Sequence, residues 1–129
     1  MKIRTRKNVY IAKMDEKDFI DMLAQCTKTA MMMLIVINSL DPDYQFPTCD
    51  EYYDHVGYAK KEITKTKRFR YKEATEILAR VGVLVQVKPD PNPVFYISPN
   101  YMFAGTHKHR KEQFDKLIKM REESGLGKE

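Results

Sequence analysis

A chain of 129 residues with 43% hydrophobic content holds one domain around one core and is short for two. Its formal charge of +5 favours a polyanionic partner, and its longest apolar run, residues 30–37, falls far below the ~20 residues of a membrane span. Two cysteines, Cys26 and Cys49, with no CxxC pair, exclude a disulfide-rich scaffold and point to a reduced, cytoplasmic setting with inert thiols.

Residues 1–8 read as a flexible basic N-terminus, either a frayed end or a phosphate-binding arm. No apolar stretch of signal-peptide length follows it. Residues 9–12 suggest a short strand. Asp15 is placed to cap a first helix with Phe19, Met22, Leu23 and Cys26 on one apolar face, and Asp15, Glu16 and Asp18 suit the positive end of its dipole. Thr27 is a second N-cap. The helix after it is apolar on every side, as for a helix surrounded by others, so Ile35 is expected in the core.

The Asp41-Pro42-Asp43-Tyr44 sequence is turn chemistry, followed by an extended piece around Phe46. Thr48-Cys49-Asp50-Glu51 matches a capping box and starts a helix of about two turns that stops at Gly57. Residues 41–54 carry five acids and no Lys or Arg, so this face is expected to point away from any nucleic acid. Between residues 60 and 72 the balance reverses, with seven basic residues against Glu62 alone. Ala59 and Ile63 suggest one helical turn ahead of the next helix.

That helix, about residues 67–82, has two faces. Ala74, Ile77, Leu78 and Val81 form a buried stripe, while Arg68, Tyr71, Lys72 and Thr75 repeat the spacing on another side. The second face is either an ordinary solvated basic face or a set of groups suited to phosphates and base edges in a major groove. Gly82 stops the helix, 83–87 read as a strand, the loop 88–93 holds three prolines, and 94–97 read as the return strand. Helix, glycine, strand, exposed loop, strand is the order of a winged helix-turn-helix, with Lys88 on the wing.

The string Val94-Phe95-Tyr96-Ile97-Ser98-Pro99-Asn100-Tyr101-Met102-Phe103-Ala104-Gly105-Thr106 resembles the ending of the RepL family of plasmid and phage replication proteins, in which a wing strand leads into (Asn/Ser)-Pro-Asn, an aromatic residue and Gly-Ser/Thr. It follows Leu78-Ala79-Arg80-Val81-Gly82-Val83-Leu84, similar to that family's Leu-x-x-x-Gly-(Ile/Val)-(Ile/Leu). The resemblance covers about residues 9–106 and departs at residues 58–67, longer than the usual turn, and in the proline-rich wing. It implies an origin-binding replication initiator, with host replication or transcription proteins as further expected partners.

From residue 107 a terminal helix sets Phe114, Leu117 and Ile118 at helical spacing, a stripe that packs on the first helix or makes a homodimer. His107 and His109 flank Lys108 at its basic start and read as a solvated helix end that touches phosphate rather than as a metal site. No glycine-rich phosphate loop and no Gly-x-Ser-x-Gly is present, so no catalytic residue, metal or cofactor is expected.

The expected fold is α+β and mostly helical, a winged helix-turn-helix with a two-stranded wing and a C-terminal amphipathic helix. Its parts are the N-terminus (1–8), the DNA-binding domain (9–106), the C-terminal helix (107–124) and a tail (125–129). Duplex DNA is the expected partner. Arg68, Tyr71, Lys72 and Thr75 would read the groove, and Lys65, Lys67, Arg70 and Lys88 would hold phosphates. A transcriptional regulator, or an interaction module docking its basic face on a host protein, shares these features.

Overall fold

The computed structural model describes residues 9–11 and 14–126; the expectations for residues 1–8 and for the end of the tail, 127–129, lie outside these. In chain order the elements are β1 (Val9–Ile11), α1 (Glu16–Ala24), α2 (Lys28–Ile37), α3 (Cys49–His55), a 3-10 turn (Lys60–Glu62), α4 (Lys65–Arg80), β2 (Leu84–Lys88), β3 (Val94–Ile97), β4 (Met102–Ala104) and α5 (His107–Glu123). The fold is α+β and mostly helical.

Four threonines begin four of the helices. Each of Thr27, Thr48, Thr64 and Thr106 holds an extended backbone, and its hydroxyl accepts the amide three residues on, which satisfies one of the unpaired donors of the first turn. At Thr48 the Glu51 carboxylate also reaches back to the Thr48 amide at 3.0 Å, completing the expected box. Asp15 makes no such bond, and only its charge favours α1. After α4, Gly82 adopts φ 89°, which admits the Val83 amide to the Leu78 carbonyl at 2.8 Å. The chain thus turns directly from α4 into β2.

β2 and β3 form an antiparallel hairpin in which Leu84 faces Ile97 and Gln86 faces Phe95, with a register shift before Lys88 opposite Val94. The other edge of β3 takes the extended piece anticipated near Phe46: the Phe46 amide donates to the Phe95 carbonyl at 2.8 Å, and Gln45 bridges Tyr96. A second two-stranded sheet pairs β1 with β4, and β4 was not anticipated. Its residues are too few to show an alternation, and its partner lies more than 90 residues away.

The core lies where α2 and α4 pack on each other, closed by α3 and by the hairpin. Leu78 and Ala74 are fully buried there. Ile35 is not: it is 71% exposed, with Met31 and Met32 beside it at 40% and 45%. α2 is apolar all round, but its Ala30, Met33, Leu34 and Ile37 face is the one buried in the core, with Val36 packed at its margin. The chain has too few helices to surround it.

α5 packs on β2 and β4 of its own chain. Leu117 is 1% exposed, Gln113 donates to the Pro42 carbonyl, and Arg121 donates to the Gln86 carbonyl. His109, expected to stand in solvent, bonds Asp43 at 2.7 Å, and Arg110 donates to the Pro99 carbonyl at 2.9 Å. The stripe expected to face α1 or a second copy is therefore taken up mostly by the hairpin. Leu117 is unavailable for the anticipated dimer contact, Phe114 is half-buried, and Ile118 stays 41% exposed.

Urea denaturation should separate these positions. Leu78→Ala should cost about 2–5 kcal/mol as a fully buried truncation, while Ile35→Ala should stay within about 0.5 kcal/mol. Leu117→Asp should unfold the chain rather than yield a stable monomer.

Candidate nucleic-acid interface

α3, the turn after it and α4 are held together by tyrosines. Tyr52 lies edge-on to Tyr53 at 5.3 Å between ring centroids and 6.1 Å from Tyr71. The Tyr53 hydroxyl donates to the Lys67 carbonyl at 2.7 Å, and the Tyr71 hydroxyl donates to the Pro47 carbonyl. Burial pushes the Tyr52 phenol up to about 12 and the Tyr71 phenol higher still. Tyr71 is a strut between α4 and the residues preceding α3. Its hydroxyl is engaged there, while its side chain also lines the groove beside Arg68 and Lys72.

Thr75, at the floor of the same groove, has its hydroxyl engaged within α4. It is 2% exposed, and its hydroxyl turns back onto the Tyr71 and Lys72 carbonyls at 3.1 and 2.9 Å. The signal that could have found both is the same helical spacing: Tyr71 stands three residues before Ala74, and Thr75 three before Leu78, so the buried arc extends over both.

Lys67, expected at a phosphate, is half-buried. Its Nζ donates to the Glu62 carbonyl at 3.1 Å and sits 4.3 Å from the centre of the Tyr58 ring. The 3-10 turn that contains Glu62 is the helical turn anticipated from Ala59 and Ile63, and Ile63 is buried. Residues 58–64 thus form a structured connection between α3 and α4, pinned by Lys67.

Lys65, Arg70, Lys72 and Lys88 have exposed side chains. Arg70 and Lys72 are two residues apart on α4, about 200° around it, so they project from opposite flanks. Arg68 is 46% exposed, and its Nη1 stands 3.0 Å from Asp50 Oδ1. That oxygen is buried and accepts no well-aligned hydrogen bond among the described residues. The acidic segment expected to face away from a ligand therefore places one carboxylate beside the basic face of α4. The cause is the capping box, which starts α3 alongside the outer surface of α4.

Arg68 and Lys72 border an open groove of about 820 Å³ between α4, the start of α3 and the hairpin loop. Asp50, Glu76 and Asp90 line it as well. Its charges are mixed, so the uncompensated cations of α4 lie toward its N-terminal half. Cys49 also lines the groove, where burial raises its thiol and Arg68 partly opposes the shift. Burial raises the Cys26 thiol too, which disfavours the thiolate at both positions.

No protein-family model, curated protein or solved structure matches the chain. Among the described residues, no helix is long and apolar enough to cross a membrane.

The tyrosine strut predicts an alkaline limit. A phenol whose folded pKa is raised above its ordinary value of 10.0 adds stability that is fully present below pH 10 and is lost as pH rises through the folded value. The melting temperature should fall steeply above about pH 10. Tyr71→Phe should start about 1 kcal/mol less stable, from the lost hydrogen bond to Pro47, and should show a shallower alkaline decline. Thermal melts from pH 8 upward check both.

Proposed function

We propose that this chain is a cytoplasmic winged helix-turn-helix protein that binds duplex DNA sequence-specifically and catalyses nothing, with α4 as the recognition helix and the β2–β3 hairpin as the wing. The observation that carries the reading is the run of α3, turn, α4 and hairpin in which α4 keeps Lys65, Arg68 and Lys72 exposed in its first half. Helices of this motif meet base edges with their N-terminal residues. Lys88 stands exposed at the foot of the wing.

The contact set is smaller than the one expected from sequence. Arg68 and Lys72 read the groove, Lys65, Arg70 and Lys88 hold phosphates, and Tyr71, Thr75 and Lys67 serve the fold. The resemblance to the RepL family makes the target a replication origin and the role that of an initiator that recruits host replication proteins. A promoter and a regulatory role are the alternative. Selection of bound duplexes from a random pool, followed by asking whether the enriched sequence repeats within an origin or lies in a promoter, decides between them.

With three phosphate contacts, binding to random duplex should weaken roughly 40-fold between 50 and 200 mM salt. Lys72→Ala should cost about 1–3 kcal/mol of specific affinity with stability within about 0.5 kcal/mol of the parent. Arg68→Ala should cost as much affinity but also lower the melting temperature slightly, because Asp50 Oδ1 loses its partner. Fluorescence anisotropy and thermal melts measure the two effects. Unchanged affinity in both variants would remove α4 from the interface.

A protein-interaction module is the second reading, and it has its own support. Met31, Met32 and Ile35 leave an apolar face on α2, Phe69 is 64% exposed on α4, and the groove carries acids. Such a module would enrich no duplex and show little salt dependence toward random DNA.

A further inference from the structure

Arg68 differs from its neighbours on the outer face of α4. Lys65 and Lys72 project into solvent with no carboxylate at ion-pair distance among the described residues. Arg68 Nη1 stands 3.0 Å from a carboxylate oxygen, Asp50 Oδ1, that is itself buried. The Asp50 side chain is 30% exposed, and Asp50 sits in the first turn of α3, which the Thr48–Glu51 box fixes. Asp50 is thus the more buried partner, in the first turn of α3 at the border of the groove, and Arg68 is the longer, more exposed side chain that meets it.

Two consequences follow for a ligand. A guanidinium has five N–H donors in a planar fork, so the contact at Nη1 orients the plane and leaves other donors for a partner across the groove. The Asp50 charge also repels any anion brought to that fork. A phosphate would pay that repulsion. The O6 and N7 acceptors of guanine are neutral and match the fork in two parallel hydrogen bonds.

We infer that Asp50 is a positioning residue that sets specificity: it orients Arg68 for the acceptor edge of a guanine and denies the same guanidinium to phosphate. The inference rests on the duplex-binding reading above and refines it. Arg68 then contributes sequence discrimination and little to the salt-dependent, sequence-independent part of binding. Lys65, Arg70 and Lys88 supply that part.

The test compares the parent, Asp50→Asn and Arg68→Lys, each against an unselected random duplex pool and against the pool that the parent enriches. The parent's enriched pool should contain a guanine at one fixed position. Asp50→Asn keeps the side-chain shape and removes the charge. It should bind the random pool more tightly, steepen the slope of log affinity on log salt by about 0.9, and lose about tenfold or more of its preference for the enriched pool. Arg68→Lys leaves α3 untouched and keeps a cation beside Asp50 but lacks the fork. It should lose the guanine preference while its random-pool affinity stays near the parent's.

A preference within twofold of the parent's in Asp50→Asn, or the same guanine enriched by Arg68→Lys, overturns the inference. If the parent enriches no sequence at all, the duplex-binding reading falls, and this one with it. If the parent enriches a sequence and both variants match it, the guanine contact of Arg68 and the role of Asp50 fall while duplex binding stands. Should Asp50→Asn melt below the assay temperature, Asp50→Ser, which also removes the charge, takes its place, and a preference within twofold of the parent's in that variant overturns the inference.

Discussion

The tie between α4 and α3 controls what the rest of the molecule can present. Tyr71 reaches the Pro47 carbonyl, Tyr53 reaches the Lys67 carbonyl, and the Tyr52 ring lies between them. These bonds fix the rotation of α4 about its own axis. Once that rotation is set, Lys65, Arg68 and Lys72 must face outward and Thr75 must face inward. A rotation of one residue, about 100°, would exchange a basic outer face for one that exposes part of the core stripe. The unusual density of tyrosines around this joint is therefore a matter of orientation as much as of burial, since each ring brings a hydroxyl that must find an acceptor.

The same joint brings opposite charges together. α3 starts at a capping box rich in acids, which suits the positive end of a helix dipole, and its start lies next to the basic side of α4. The Arg68–Asp50 contact is one result. The mixed lining of the groove is another, because Glu76 follows one turn after Lys72 and Asp90 reaches across from the hairpin loop. A helix of this kind offers a ligand a basic first half and an acidic continuation. In the duplex-binding reading, that polarity favours contact through the N-terminal half of α4 and disfavours laying the whole helix along a phosphate backbone.

α5 braces the hairpin from the opposite side. Leu117 fills the space over β2, Arg121 holds a strand carbonyl, and His109 with Arg110 ties the start of the helix to the turn after α2 and to the loop before β4. A two-stranded hairpin is marginal alone, and here it is covered by α5 on one side and by α4 on the other. The hairpin loop is thus carried on a supported base. The apolar stripe of α5 is used up largely in that support, which leaves the exposed side of α2 as the larger apolar surface.

Much of the fold was legible in order and type. Thr27 and Thr48 marked helix starts because capping is decided within four residues, and Gly82 marked the turn into β2 for the same reason, whereas the cap at Thr64 lies three residues ahead of the start expected for α4. The hairpin was legible from its β-branched runs and proline loop, and Leu78 from its stripe. Facing was not. Whether an apolar helix is surrounded depends on how many neighbours the chain can supply, so Ile35 looked like core and is solvent-exposed. Whether a polar residue on α4 reaches outward depends on the acceptor it finds, so Tyr71 and Thr75 looked like contacts, whereas the Tyr71 hydroxyl is held by Pro47 and the Thr75 hydroxyl by carbonyls of its own helix. The pairing of β1 with β4, the seat of α5 on the hairpin and the meeting of Asp50 with Arg68 join residues far apart in the chain. Local spacing carries no information about such contacts, because only the packed structure brings the partners within reach.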